Sequence, residues 1–198
     1  MGPVPGIAAG FFFSPDRPPQ HRQVAEPAVA LQPTRLTGDV VDWFGWAIFG
    51  LVATSALTAV MITAQLAGLT RLDLPLVLGT LVTEDPDRAR VAGFLVHLIV
   101  GQVFALGYAT VFALLHRATW WLGGLLGLLH VAVALMVLLP VLPGLHPRMA
   151  SHRAGPASRA VLEPPGLLAL NYGVQTPAVA VAAHLVYGAV LGLLLQAR

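Results

Sequence analysis

Residues 119–142 read TWWLGGLLGLLHVAVALMVLLPVL. No Asp, Glu, Lys or Arg interrupts these 24 residues. A helix rises 1.5 Å per residue, so roughly 20 apolar residues cross a hydrocarbon layer about 30 Å thick. The stretch therefore reads as a membrane span. Thr119 can cap its start, Trp120 and Trp121 suit the headgroup belt, and Pro140 and Pro143 are expected to end it.

Three more runs of the same kind flank it, at 41–69, 91–115 and 178–195. Asp39 or Asp42 can cap the first, and Trp43 and Trp46 sit at its edge. Asp85-Pro86-Asp87 before the second is a helix-start signal, a cap followed by proline in the first turn. Only a tiny loop, His116-Arg117-Ala118, joins the second and third runs, which predicts a tight antiparallel hairpin. Residues 74–82 are apolar but too few to span, so a short interfacial helix is expected there. The 143–177 segment is long, has its own apolar run, and reads as a folded loop. Residues 1–38 hold seven prolines and no helical period, which predicts a disordered tail outside a 39–198 membrane domain. The expected fold is all-α: a four-span bundle.

Composition agrees. The chain is 57% hydrophobic and 10% charged, with mean hydropathy +0.77. Soluble domains carry about 25% charged residues, so a water-facing surface of ordinary make-up is excluded. Net charge is +2 with no lysine, too small and dispersed for nucleic acid. The chain has no cysteine, which removes disulfides, thiolate metal sites and iron–sulfur clusters. Four spans put both ends on one side. Arg71, Arg88, Arg90, Arg148, Arg153 and Arg159 lie by the other, the loop face, against Arg35, Arg117 and Arg198 at the terminal face. The positive-inside rule then points the loop face to the cytoplasm.

Three histidines fall inside spans, His97, His130 and His184. Each shares a helical face with glycines: Gly93 and Gly101 with His97, Gly123 and Gly127 with His130, Gly188 and Gly192 with His184. Faces of small residues are where membrane helices approach closely, so all three imidazoles are expected to face the bundle interior. The first span matches them with Thr54, Thr58, Met61 and Gln65. By depth, His97 and His184 fall level with each other near the loop face, with His130 deeper. Gln65, His146, Arg148, Glu163, Asn171 and Tyr172 are expected to gather at the same end.

Neutral imidazoles facing each other can ligate haem iron if glycines leave room for the porphyrin. They can also hold a divalent metal ion, with His146 and Glu163 completing the set. A quinone or lipid headgroup held by His, Tyr and Arg148 is a third use. The plainer use is a histidine that only donates to a carbonyl or a threonine on its own or a neighbouring helix. No His-Glu-x-x-His, phosphate-cradling loop, Gly-x-Ser-x-Gly or intramembrane carboxylate pair occurs, which argues against an enzyme. Membrane lipid is one expected partner, with another membrane protein or a second copy on the glycine faces as others.

The stretches Gly144-Leu145-His146-Pro147-Arg148-Met149-Ala150-Ser151, Leu162-Glu163-Pro164-Pro165-Gly166, Asn171-Tyr172-Gly173 and Ala183-His184-Leu185-Val186-Tyr187-Gly188 resemble an uncharacterised family of small bacterial four-span inner-membrane proteins. The resemblance covers residues 40–198. It implies a bacterial inner-membrane setting and no particular activity. The sequence thus leads to an integral membrane protein with a His-lined interior site. A haem- or metal-binding redox or sensory protein and a structural subunit of a larger membrane complex are the alternatives.

Overall fold

The computed structural model describes residues 41–150 and 162–196. The 1–38 tail, Asp39, His152, Arg153, Arg159 and Arg198 lie outside them. Five helices carry the described chain: α1 Trp43–Leu66, α2 Leu74–Gly79, α3 Pro86–Leu114, α4 Trp120–Leu145 and α5 Thr176–Gln196. All but α2 are long and apolar enough to cross a membrane. The protein is an all-α, multi-pass membrane bundle.

The helix starts follow local chemistry. Asp42 Oδ1 accepts from the Gly45 amide at 2.8 Å, and Asp85 Oδ1 accepts from Asp87 and Arg88. Thr119 and Asp73 cap α4 and α2 in the same way, each taking up an amide that the first helical turn leaves unpaired. At the other end of α3, His116 takes the left-handed conformation (φ 48°). That closes the helix by pairing its own amide with Ala113 and the Arg117 amide with Phe112.

The span limits differ from the sequence reading most at two places. α3 begins at Pro86, a full turn before Val91, because the Asp85 cap outweighs the charges of the first turn. α4 runs past Pro140 and Pro143 to Leu145. It does so through a wide turn at Ala134–Leu138, where the Leu139 amide reaches back five residues to the Ala134 carbonyl. A proline removes one backbone donor and crowds the carbonyl four residues earlier. Widening the turn moves that carbonyl aside, so the helix continues where it was expected to stop.

The helices form a square in the order α3, α1, α5, α4. α4 packs closely on α5, α5 on α1, and α1 on α3. The fourth side, between α3 and α4, has few backbone approaches, so the expected tight hairpin does not form. Gly123 and Gly127 of α4 face the α5 backbone instead, and backbone-to-backbone packing there wins over the short connection. α2, six residues long, lies against α3, where a methyl added to Gly79 or Gly93 would run into the facing backbone.

The folded loop is tied down at the loop face. Leu162 pairs with Arg148 and Ala150 across residues 151–161. The Arg71 amide donates to the Tyr172 carbonyl at 2.7 Å, and Thr70 and Thr176 share a hydrogen bond at 2.7 Å. Within the 167–172 turn, Leu168 and Ala169 both adopt left-handed backbone (φ 53° and 59°), a conformation that costs roughly 1–2 kcal/mol per non-glycine residue. Ala169 is fully buried, so packing holds the turn in place.

Candidate functional site

Two of the three span histidines meet ring to ring, and the third, His97, bonds Thr58 of α1. The rings of His130 and His184 meet edge to face at 4.6 Å between centroids. Phe104 stacks on His130 at 3.7 Å, and Tyr108 and Tyr187 approach the same ring edge-on. His97 and His130 are buried, and His184 is half-buried.

Their relative level differs from the sequence reading, because His130, expected deeper, meets the His184 ring. His97 stands eleven residues, about 16 Å, from the start of α3. His130 stands ten residues, about 15 Å, from the terminal face. The cluster therefore sits at mid-bundle rather than near one end.

Hydrogen bonds fix two of the tautomers. Thr58 Oγ1 lies 2.8 Å from the Thr54 carbonyl, which has no proton to offer, so the hydroxyl donates there. In that arrangement its lone pair accepts from His97, whose Nδ1 is 3.0 Å away and carries the ring proton. His184 Nδ1 donates to the Ala180 carbonyl at 2.8 Å. Both rings then carry a proton on Nδ1, and as neutral imidazoles both present an Nε2 lone pair. Among the described residues no polar atom pairs with either Nε2. His130 Nδ1 is 3.4 Å from the Tyr108 hydroxyl, which has no other hydrogen-bond partner among the described residues. The arrangement that uses the Tyr108 proton has Tyr108 donating, which leaves His130 protonated at Nε2. The cluster so offers two acceptors and one donor.

The glycines beside these histidines are filled by helix contacts. A methyl on Gly123 would meet the Gly188 backbone, one on Gly127 the His184 backbone, and one on Gly101 the Thr54 side chain. Gly192 faces the Thr119 backbone in the same way. They bring helices together and open no slot for a porphyrin. The bundle is pinned at this level by Tyr187, whose hydroxyl donates to the Gly101 carbonyl at 2.7 Å.

His146 takes no part in the cluster. Its Nδ1 accepts from the Arg148 amide at 3.1 Å and its Nε2 donates to the Val77 carbonyl at 3.0 Å, so both nitrogens are used by the chain. Glu163 pairs with Arg71 at 3.2 Å. Arg148 pairs with Glu84 at 3.2 Å and donates to the Thr80 carbonyl. Asn171 donates to Pro164, and Tyr172 to the Glu163 carbonyl at 2.5 Å. Gln65 is half-buried and makes no side-chain hydrogen bond to any of these described groups. The polar groups expected at one end therefore divide into a loop-face latch and a separate imidazole core. Among the described residues no three His, Asp or Glu are placed to hold a metal ion, so the set His97, His184, His146 and Glu163 does not assemble.

Burial, the Glu163 carboxylate next, pushes the Tyr172 hydroxyl up to about 12, with Arg71 opposing.

No known protein family, curated protein or solved structure matches the chain.

Two interior groups escaped the sequence reading. Gln102 donates through Nε2 to the Ala47 carbonyl at 2.8 Å, and Trp46 donates to the Gln102 carbonyl at 2.9 Å. Together they clamp α1 to α3, so Trp46 also serves as a helix clamp. The signal was available: Gln102 is an amide at the centre of a hydrophobic run, where an unpaired polar group is costly.

Proposed function

We propose that this chain is a bacterial inner-membrane protein that binds a small uncharged ligand at the imidazoles of His97, His130 and His184. The observation that carries the reading is the pair of Nδ1-protonated rings on different helices. Each is held by an acceptor of the chain, and each leaves its Nε2 lone pair without a partner. The Lys-free composition and the resemblance of residues 40–198 support the bacterial setting.

A bound metal ion is the second reading. Metal-ligating histidines also donate their other N–H to a carbonyl or similar acceptor, as His184 does to Ala180. Two donors fall short of the three or four that protein sites supply, and the packed glycines disfavour haem. The test is ¹⁵N-histidine NMR of the full chain in lipid nanodiscs, alongside metal analysis and absorbance. Nδ1–H signals assigned through His97→Ala and His184→Ala, without stoichiometric metal, support the ligand site. A Soret band or one equivalent of metal lost in either variant installs the metal reading. Nε2–H tautomers at both positions overturn the site altogether.

A further inference from the structure

We propose a second site, separate from the imidazoles: a cavity at the terminal face that holds the headgroup of a phospholipid bearing a phosphate and a primary amine. The cavity follows from how the helix ends are closed. At the end of α3 the left-handed turn at His116 folds the connector back, so that the Arg117 amide donates to the Phe112 carbonyl at 3.0 Å. The connector then runs to Thr119, the cap of α4, across the side of the square that close packing leaves open. The start of α1 and the end of α5 complete the wall, and a cavity of about 580 Å³ remains among them. Pockets for small ligands measure roughly 300–1,000 Å³. None of His97, His130 and His184 lines it, so it stands or falls apart from the imidazole reading.

The lining carries both signs of charge. Arg117 and Asp42 face one cavity, with Thr119 and Gln196 as further polar groups and Phe112 and Leu195 as apolar wall. Asp42 uses Oδ1 for the Gly45 amide at 2.8 Å, and a carboxylate has lone pairs for more than one donor. The Arg117 guanidinium lies 5.2 Å from the centre of the Trp121 ring and makes no ion pair among the described residues. A phosphate alone would meet the Asp42 carboxylate, and an ammonium alone would meet the Arg117 guanidinium. A headgroup that joins phosphate to amine suits both. A primary ammonium can donate hydrogen bonds to the carboxylate, whereas a quaternary one has none to give.

The level in the membrane points to lipid as the source. Trp43 at the start of α1 and Trp120 and Trp121 at the start of α4 are exposed at this same end of the bundle. Amphipathic rings of that kind sit among headgroups. Leu114 and Leu115, just before the connector, are exposed and apolar, and give acyl chains a surface to rest on.

The test is native mass spectrometry of the full chain released from nanodiscs of equimolar phosphatidylethanolamine, phosphatidylcholine and phosphatidylglycerol. The expected result is one retained phosphatidylethanolamine, in roughly tenfold excess over either competitor, the scale of one charge-assisted hydrogen bond. Asp42→Asn keeps the helix cap, because an amide oxygen accepts from the same N–H, and should erase the preference over phosphatidylglycerol. Arg117→Gln should lower retention of all three lipids. Arg88→Gln, at an exposed arginine of the opposite face, should leave retention unchanged. Glycerophosphoethanolamine, the same headgroup without chains, should fail to displace the lipid. Retention of the three lipids in bulk proportion overturns the site, and a preference that survives Asp42→Asn overturns the role of the carboxylate. Equal losses in the two arginine variants overturn the location. Displacement by glycerophosphoethanolamine at equal concentration overturns the lipid source and makes the ligand a soluble phosphate ester.

Discussion

Replacing Gly123 by alanine tests the packing that assembles the imidazole cluster. A methyl there would lie 2.7 Å from the Gly188 carbonyl carbon, and nearer still to its oxygen. Ordinary contact begins at 3.4 Å, so α4 and α5 must part by at least 0.7 Å. The obstacle is backbone, which cannot rotate away as a side chain can. Overpacking of this kind costs about 1–3 kcal/mol. The neighbouring Gly124 supplies the control. A methyl there meets only Leu185 Cδ2 at 3.7 Å, an ordinary contact. Gly124→Ala also gains up to about 1 kcal/mol of helix propensity, as Gly123→Ala does. The two variants share composition, helix and depth, and differ only in what the methyl touches. Reversible unfolding in bicelles should place Gly123→Ala below Gly124→Ala by about 1–3 kcal/mol. Equal stabilities would refute the backbone-contact account of α4 against α5.

Three further outcomes follow from the described contacts. Tyr187→Phe removes the hydroxyl bonded to the Gly101 carbonyl and should lower unfolding stability by roughly 0.6–1.7 kcal/mol, the range for interhelical hydrogen bonds in membranes; no change would mean that the carbonyl is already satisfied. The Tyr172 hydroxyl, held protonated by burial up to about 12, retains its proton where the unfolded chain loses it near 10. Its contribution is whole below pH 10 and lost as pH rises toward 12, so the wild type should lose stability over that window and Tyr172→Phe should lose less. A parallel decline of the two proteins would contradict the assignment. His146→Ala strips both the Val77 and Arg148 partners and should loosen the loop-face latch, read as faster amide exchange at Val77–Thr80 and Arg148, while the ¹⁵N signals of His97 and His184 stay in place. Movement of those signals would show that latch and core are one unit.

The elements that were legible in the sequence are those whose cause is local. Length and apolarity set the four spans, and Asp42, Asp85 and Thr119 mark helix starts by a rule that involves three residues at most. That three span histidines face inward was also readable, since glycine spacing on each helix gives its packed face. Closeness of packing was not. The short connection does make α3 and α4 neighbours, with Phe104 stacked on His130, yet Gly123 and Gly127 fit the α5 backbone, and only the fitted surfaces decide which neighbour α4 packs on closely. Register between helices was not readable either, since His130, expected deeper than His184, meets its ring at 4.6 Å. The loop-face partners of His146 and Arg148 were hidden for another reason. They are backbone carbonyls and amides, which every residue carries and no sequence distinguishes.

The wide turn at Ala134–Leu138 also sets the phase of everything after it. One additional residue in a helix rotates the remainder by about 100°. Leu139 and Leu142 pack against the core beyond this turn. Deleting a single residue from the turn would swing both away from that surface and press Pro140 back onto a carbonyl. The last two turns of α4 are thus indexed by one inserted amino acid, and a chain lacking it would need a different face of leucines to close the same end.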